Sequence, residues 1–338
     1  ALAEIKSLKT EFDRAFEDAI RTGELERVRT LRSDLESRLR ELREGLISPV
    51  EKELDLKRQY ESERRVLEGA GILEQLPSGE QGIRGIDGKA YPVPSYQEVR
   101  DLIREKRDIL KKKAEQGFTK LLIVPFGMKL DDLIEKYKAV ILKHYADMPD
   151  PQDPSKRIPD PRKTKLFAAK EKDTDPDEPL DLDTTAPVWV WDAYRGADES
   201  GKLVYDPKEF SQNHGGKTKA EILAAAPLGE ARDKQGKSSP AWRILVIEAD
   251  PNIPRSGQGK TVGGRARLEA NKTPNEYLEA IGNGSAKLTT GNQYQGESGL
   301  TPEEWLMQAI ATLEEKNQVI DDYQGKGSVA YNTGAYFP

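Results

Sequence analysis

The stretch WRILVIEADPNIPRSGQGKTVGGR, residues 242–265, decides which class of fold this chain is assigned to. An apolar run, a glycine-rich loop and then Gly-Lys-Thr are how a nucleotide-binding P-loop begins. The P-loop pattern also requires a first glycine five positions before Gly259, and Pro254 stands there. A helix should follow, so that its N-terminal amides face phosphate, but Gly263-Gly264 disfavours one. The stretch therefore predicts a flexible glycine-rich loop, with a P-loop as the alternative.

The basic residues of this loop keep a functional interpretation even without a P-loop. Their guanidinium and ammonium groups could contact an anionic partner, which makes them candidate ligand- or anion-binding residues. They are Arg255, Lys260, Arg265 and Arg267. The competing enzyme hypothesis is a nucleotide- or phosphate-binding enzyme that uses the Gly259-Lys260-Thr261 loop.

Composition excludes several functional classes. The chain of 338 residues is 33% charged and 36% hydrophobic, with a net charge of -6, so no basic excess points to nucleic acid. The absence of Cys excludes disulfides, zinc-thiolate sites and thiol nucleophiles. With His144 and His214 as the only histidines, we expect no multi-histidine metal site and no cofactor. The sequence contains no apolar run of eighteen residues, so no membrane span is expected.

No signal peptide is visible, so the expected location is cytoplasmic. Because the chain starts at Ala1 rather than Met, a processed or trimmed N-terminus is also compatible with the sequence.

Residues 1–70 carry a helical pattern. Apolar residues recur at steps of three and four from Val28 to Leu46, and Ser48-Pro49-Val50-Glu51 restarts a helix as a capping box. An antiparallel helical hairpin is the expected structure, with a multi-chain coiled coil as the alternative, and this region is the candidate for homo-oligomerisation.

The remaining chain reads as a mixed α+β region in which short strands are scattered among long polar loops. Residues 71–146 predict a hairpin at Asp87-Gly88, a helix from Ser95 to about Gln116, a buried strand and a helix from Leu130. Residues 147–187 form a proline-rich and acidic loop. Residues 188–338 predict further strands, a short helix at Thr218 and two helices that start with capping boxes at Thr273 and Thr301. The regular strand–helix alternation of a doubly wound fold is absent.

Acidic and aromatic residues give two further candidate sites. Asp173, Asp175 and Asp177 alternate like the start of a calcium-binding EF-hand loop, but Glu178 replaces the required glycine, so a solvated acidic loop is the competing interpretation. Trp189 and Trp191 share one face of a predicted strand. Such a face either holds a ligand or belongs to the core, and core is the expectation.

The sequence contains no recognisable combination of catalytic residues. His214 lies in the polar turn SQNHGGK, and no serine or aspartate can be assigned to it as a partner. No nucleophile elbow or paired-carboxylate motif is present.

Three stretches carry a resemblance: KLLIVPFGMKLDDLIEKYKAVILKHY, VWVWDAYRGADESGKLVYDPKEF and GKTVGGRARLEANKTPNEYLEAI. They resemble an uncharacterised family of hypothetical proteins found mostly in small-genome bacteria of the candidate phyla. The resemblance covers most of the chain from about residue 70 and implies no established activity.

The C-terminal stretch GLTPEEWLMQAIATLEEKNQVIDDYQGKGSVAYNTGAYFP resembles the start of a C-type-lectin-like domain. That domain is similar to the variable proteins of diversity-generating retroelements, in which a reverse-transcriptase system varies the last segment and the lectin fold displays it. The matching positions are Trp305, Leu306, Leu313, Ile320, Asp321, Asp322, Tyr323, Ser328, Gly334, Tyr336, Phe337 and Pro338. The resemblance implies that the diversified segment would lie beyond Pro338. It also implies that the following aromatic residues belong to the scaffold: Trp189, Trp191, Trp305, Tyr323, Tyr336 and Phe337.

The sequence thus predicts an α+β protein: an N-terminal helical hairpin or coiled coil, then a mixed α+β domain that resembles the start of a C-type-lectin-like fold. The expected function is non-enzymatic binding or display of a protein or other macromolecular ligand, without nucleic acid. The enzyme described above is the alternative, and a structural scaffold without a small ligand is a third hypothesis.

Overall fold

The computed structural model describes residues 10–17, 19, 28, 32, 54–144, 195–225, 240–249, 254, 257–282, 293–317, 320 and 332–337. The chain divides into two compact units, Ala1–Lys52 and Glu53–Pro338. The predicted loop 147–187 and the two tryptophans Trp189 and Trp191 lie outside the described residues.

In the first unit, every described residue is helical. Ala15, Ala19 and Val28 form a small buried cluster against which Phe12 packs. Phe12 also stacks on Phe16, with ring centroids 6.2 Å apart. The helical character is therefore confirmed at these positions, whereas the hairpin, the coiled coil and the Ser48 capping box stay predictions.

The second unit is a mixed α+β structure, as the sequence predicts. Its described helices are α1 (Leu56–Gly69), α2 (Tyr96–Glu105), α3 (Arg107–Glu115), α4 (Leu130–His144), α5 (Lys219–Ala224), α6 (Pro274–Ile281) and α7 (Pro302–Lys316). Its described strands are β1 (Glu74–Gln75), β2 (Gln81–Arg84), β3 (Ala90–Pro92), β4 (Phe118–Val124), β5 (Val204–Tyr205), β6 (Lys217–Thr218), β7 (Arg243–Glu248), β8 (Thr261–Val262), β9 (Arg265–Ala266) and β10 (Ala335–Tyr336).

The longest strand pair lies at the centre of this unit. β4 runs antiparallel to β7, from Phe118 opposite Glu248 to Val124 opposite Arg243. The four residues from Leu121 to Val124 are fully buried, because helices α1, α3 and α7 pack against β4. α7 also packs on α4, so α7 is buried along most of its length.

The remaining described strands form small antiparallel sheets, with the orders β1-β2-β3, β10-β5-β6 and β8-β9. The Asp87-Gly88 prediction is confirmed, since β2 and β3 form a hairpin and Gly88 adopts a φ of 75° at its turn. In the β10-β5-β6 sheet, Tyr205 pairs with Ala335 on one side and with Lys217 on the other.

Helix α1 belongs to the second unit, whereas the sequence groups it with residues 1–70. The division falls between Lys52 and Glu53. The reason is its buried face: Leu56, Val66 and Leu67 are at most 4% exposed and α1 packs against β4.

Local capping sets most helix starts. The predicted capping boxes at Ser95, Thr273 and Thr301 all form, and a fourth forms at Thr218, where the sequence predicts only a short helix. The single helix expected from Ser95 to about Gln116 is instead two, because the backbone leaves helical geometry at Lys106, with φ -99° and ψ 13°.

Candidate functional site

The glycine-rich loop leads into a hairpin. Gly259 and Lys260 are followed by strand β8, and the turn Gly263-Gly264, with φ of 55° and 76°, connects it to β9. The Gly-Lys-Thr triplet is therefore not followed by a helix N-terminus that could face phosphate.

The amides of this loop already hold an anion from the chain itself. The backbone N–H groups of Gly257 and Gly259 donate to the carboxylate oxygens of Glu269 at 2.7 and 2.6 Å. These hydrogen bonds, led by that from Gly257, lower the pKa of Glu269 because they favour its charged form. The loop thus has the donor arrangement of an anion site, and Glu269 occupies it.

Of the basic residues proposed for anion binding, Lys260 and Arg265 lie in different surroundings. Lys260 is exposed, and its carbonyl accepts from the backbone N–H of Arg267 at 3.3 Å. Arg265 faces the interior with 4% of its side chain exposed. Arg255 lies outside the described residues.

Arg265 belongs to a group that we call the Arg265 cluster: the buried side chains of Lys113, Arg265 and Glu297, and Glu248, whose side chain is 30% exposed. The Arg265 guanidinium donates to both carboxylate oxygens of Glu297 at 2.7 Å and to Glu248 at 2.8 Å. Lys113 also contacts Glu297 and donates to the carbonyl of Gln293 at 2.9 Å. The two cations of the cluster, Lys113 and Arg265, are therefore already paired with its carboxylates. Burial lowers the pKa of the Lys113 ammonium and raises that of Glu248, against the opposing pull of their partners.

A second buried group, the Lys219 cluster, consists of Lys219, Asp198 and Glu303. The Lys219 Nζ lies 2.6 Å from Asp198 Oδ2 and 2.8 Å from Glu303 Oε1, and all three side chains are 0% exposed. Lys219 begins α5 directly after β6, Glu303 lies in the first turn of α7, and Asp198 precedes β5. Three segments that are distant in sequence therefore meet at one ammonium.

The surroundings of the Lys219 cluster supply further hydrogen bonds. Lys219 Nζ donates to the carbonyl of Met128 at 2.8 Å, and the backbone N–H of Leu130 donates to Asp198 Oδ2 at 2.9 Å. The Tyr205 hydroxyl donates to Glu303 Oε1 at 2.6 Å. Burial, together with the adjacent Glu303 carboxylate, raises the pKa of Tyr205 well above its ordinary value.

Two oxygens of the Lys219 cluster have no hydrogen-bond partner: Asp198 Oδ1 and Glu303 Oε2. Both oxygens are buried. Aromatic rings lie near the ammonium, since Lys219 Nζ is 5.5 Å from the ring centroid of Phe126 and 5.7 Å from that of Tyr205. One ammonium thus faces two carboxyl groups in an apolar enclosure, an arrangement that costs free energy unless it is compensated.

Arg243 lies on the same aromatic ring, that of Phe126, as the Lys219 ammonium. Its guanidinium stacks on Phe126 at 3.9 Å, and it donates to Glu304 at 3.0 Å and to Asp206 at 2.9 Å. Glu304 is the capping-box acid of α7 and is buried, which raises its pKa. This arginine therefore holds the start of α7 against β7.

A half-buried aromatic group lies beside the β10-β5-β6 sheet. The rings of Phe210 and Tyr336 meet edge to face at 5.5 Å, and the His214 ring lies 5.8 Å from Tyr336. We call these three residues the aromatic patch. The Nδ1 of His214 accepts from the backbone N–H of Gly216 at 3.0 Å, which orients its ring.

The other predicted scaffold aromatics have different positions. Trp305 on α7 packs edge to face with Tyr137 on α4 at 5.7 Å, and Phe337 is half-buried next to β10. Tyr323 lies outside the described residues, as do the candidate calcium ligands Asp173, Asp175 and Asp177, so their roles stay predictions.

Within the part of the chain that the structure describes, no group of three or more His, Asp or Glu residues is arranged to hold a metal ion. None of the described helices has both the length and the apolar character needed to cross a membrane.

The sequence could not reveal the two buried clusters. Glu303 follows a threonine cap and a proline, so it reads as an ordinary first-turn acid, and Lys219 reads as a surface lysine on a short helix. Of their surroundings, the sequence predicted only the capping box at Thr301, next to Glu303.

Comparisons with protein-family models, with curated proteins and with solved structures give no match to this chain.

Proposed function

We propose that the chain is a non-enzymatic binding or display protein whose ligand is a protein or another macromolecule. The observation that carries the proposal is the aromatic patch on the β10-β5-β6 sheet. Half-buried aromatic side chains on a rigid support provide much contact area at a small entropic cost, and they are enriched where proteins bind one another.

The sheet below the patch is anchored on each strand. Tyr205 in β5 bonds to the buried Glu303, and Lys219 directly follows β6. Before β10, the Gly334 N–H donates to the carbonyl of Leu300 at 2.9 Å, and its carbonyl accepts from the N–H of Asp206 at 2.8 Å. A surface fixed in this way can display side chains without rearranging.

The finer part of the proposal is that residues 188–338 form the start of a C-type-lectin-like domain of the retroelement-diversified kind. It rests on the resemblance of the C-terminal stretch. Of the matching residues, Leu306 and Leu313 are buried, and Tyr336 lies in β10. Residues 1–70 would then mediate assembly, and the cytoplasm would be the location.

The test uses the full chain as bait, in three forms: wild type, the double variant Phe210→Ala/Tyr336→Ala, and Val262→Ala. The last is the matched control, because Val262 is a 44% exposed apolar residue on a different hairpin. A macromolecule bound through the patch should be retained by wild type and control and weakened at least about tenfold by the double variant. Equal retention by all three forms would show that the patch is not the binding surface.

The nucleotide- or phosphate-dependent enzyme is separated from this proposal by a thermal-shift titration. Mg-ATP, Mg-GTP and calcium are added to wild type and to Lys260→Ala. A ligand at a hundred times its dissociation constant adds about 2.7 kcal/mol, which is easily measured as a rise in Tm. We expect no nucleotide-dependent rise, because Glu269 occupies the loop amides. A rise that disappears in Lys260→Ala would favour the enzyme instead.

A further inference from the structure

We infer that the Lys219 amine and the Asp198 carboxyl group form an intramolecular amide bond, an isopeptide cross-link, with Glu303 relaying the proton. The geometry points to this reaction because two carboxyl groups lie within hydrogen-bond distance of Lys219 Nζ. One of them can acylate the amine, and the other can carry its proton. The inference is independent of the proposed binding function.

Proximity is the first argument. Lys219 Nζ lies 2.6 Å from Asp198 Oδ2, and both side chains are 0% exposed. Holding two reactive groups in this way turns a bimolecular reaction into a unimolecular one, with effective molarities of about 10⁵ M or more in favourable cases. The aromatic walls of Phe126 and Tyr205 also keep water from the bond, so that hydrolysis of the product is suppressed.

The balanced step is a condensation. The Lys219 ammonium first gives a proton to Glu303, across the 2.8 Å contact, and the neutral amine attacks Cγ of Asp198. A C–N bond forms and one C–O bond of Asp198 breaks. Glu303 returns the first proton to the departing oxygen and then carries a second proton there from the attacking nitrogen, so that the oxygen leaves as water. The ammonium and the Asp198 carboxylate become one amide and one water molecule, and Glu303 ends as it began. No oxidant, reductant or co-reactant is needed.

The hydrogen bonds identify Asp198 rather than Glu303 as the acylating group. The backbone N–H of Leu130 donates to Asp198 Oδ2 at 2.9 Å, so it would stabilise the negative charge that develops there during attack. Asp198 Oδ1 has no partner and is free to leave. Glu303 is instead held by the Tyr205 hydroxyl at 2.6 Å, which suits a group that only exchanges protons.

The product also removes two of the buried charges, those of Lys219 and Asp198. Before reaction, one ammonium and two carboxyl groups share an enclosure without solvent. The amide is neutral, its N–H can donate to the Met128 carbonyl that accepts from Nζ at 2.8 Å, and Glu303 keeps the Tyr205 hydroxyl as a donor.

The Arg265 cluster provides an internal control. Lys113 also meets a buried carboxylate, that of Glu297, with 6% of each side chain exposed. However, both oxygens of Glu297 accept from Arg265, so neither is free to leave, whereas Asp198 Oδ1 has no partner. Acylation of Lys113 is therefore not expected.

The experiment is an intact-mass measurement on the full chain under denaturing conditions, followed by tryptic mapping. Cross-linked protein should weigh less than its sequence by one water molecule. Trypsin should also release a branched peptide in which residues 196–202 are joined to residues 218–232, since acylated Lys219 is not cleaved.

Four variants sharpen the test. Lys219→Arg keeps the charge and should have the full sequence mass. Asp198→Asn should lose ammonia instead of water if it reacts. Glu303→Gln should leave most of the chains unlinked, because the proton relay is gone. Lys113→Arg, the matched control, should keep the mass deficit of the wild type.

A wild-type mass equal to that of the sequence, with no branched peptide, would overturn the inference without any variant having to fold. A branched peptide joining residues 218–232 to residues 288–316 would overturn the choice of Asp198 as the acylating group. A deficit that persists in Lys219→Arg would show that the water is lost elsewhere, which also refutes the cross-link.

Discussion

Glu63 is the position at which the structure makes its most quantitative prediction. This glutamate on α1 is 1% exposed, and its Oε2 accepts from the backbone N–H of Ile123 in β4 at 3.0 Å. Burial raises the pKa of Glu63 from 4.5 to about 8, because the hydrogen bond from Ile123 and the charge of Lys120 compensate only part of the lost hydration.

The sign of the effect on stability follows from proton linkage. Below pH 4.5 Glu63 is protonated in both the folded and the unfolded chain, and its burial carries no ionisation cost. Between pH 4.5 and about 8 the unfolded chain ionises while the folded chain keeps its proton, so the free energy of unfolding falls as pH rises. Each pKa unit corresponds to about 1.4 kcal/mol, so the loss over this window is roughly 5 kcal/mol.

The perturbation is Glu63→Gln, which keeps an oxygen acceptor for the Ile123 amide but cannot ionise. Urea unfolding is measured from pH 5 to 9 by tryptophan fluorescence, which reports on the second unit because all four tryptophans follow residue 188. The stability of the variant relative to wild type should rise with pH and level off above about pH 8. Other titrating groups cancel in this difference.

Glu61→Gln is the matched control, since Glu61 lies on the same helix with its side chain 52% exposed. Its stability profile should run parallel to that of wild type. If the Glu63→Gln profile ran parallel too, Glu63 would not be protonated in the folded chain, and the reasoning from burial would fail.

Three further changes test the packing of the second unit. Arg243→Leu leaves Glu304 buried without its cation and should cost about 3 kcal/mol or more in the free energy of unfolding, measured in urea at pH 7. Gly334→Ala should cost about 1–3 kcal/mol by calorimetry, because its Cβ would lie 2.4 Å from the Gly299 carbonyl oxygen, whereas Gly69→Ala, with its nearest contact at 3.8 Å, should not destabilise. Thr273→Ala removes the capping box of α6 and should cost about 1 kcal/mol, seen also as faster amide exchange in that helix.

The features that the sequence predicted well are those determined within a few residues. A threonine or serine followed three positions later by glutamate sets a helix start locally, and Thr273 and Thr301 both begin helices at the expected residue. The C-terminal end of α7 is equally local, since Asn317 adopts a left-handed conformation with φ of 50°. Strands β4 and β7 could be predicted because each contains a continuous apolar run, although only β4 is fully buried over most of that run.

The features that the sequence did not predict depend on contacts between distant residues. Lys113 and Glu297 are 184 residues apart, and no local pattern pairs them. Strands of two residues, such as β5 and β10, are too short to show the alternation by which strands are recognised. Arg265 was a reasonable anion-binding candidate for the same reason: its two carboxylate partners are not its neighbours in sequence.

The short strands also explain why the second unit places so many charges in its interior. A pair of two-residue strands contributes few ladder hydrogen bonds and little register information. While the chain folds, before the cross-link forms, the Lys219 cluster supplies the register information that the β10-β5-β6 sheet lacks, because an ammonium with two fixed carboxyl partners is satisfied in one arrangement only. Buried ion pairs of this kind add little net stability relative to apolar side chains, but they penalise every alternative packing that would separate them. We therefore attribute to the cluster the specification of one sheet geometry, the property that a surface for displaying the aromatic patch requires.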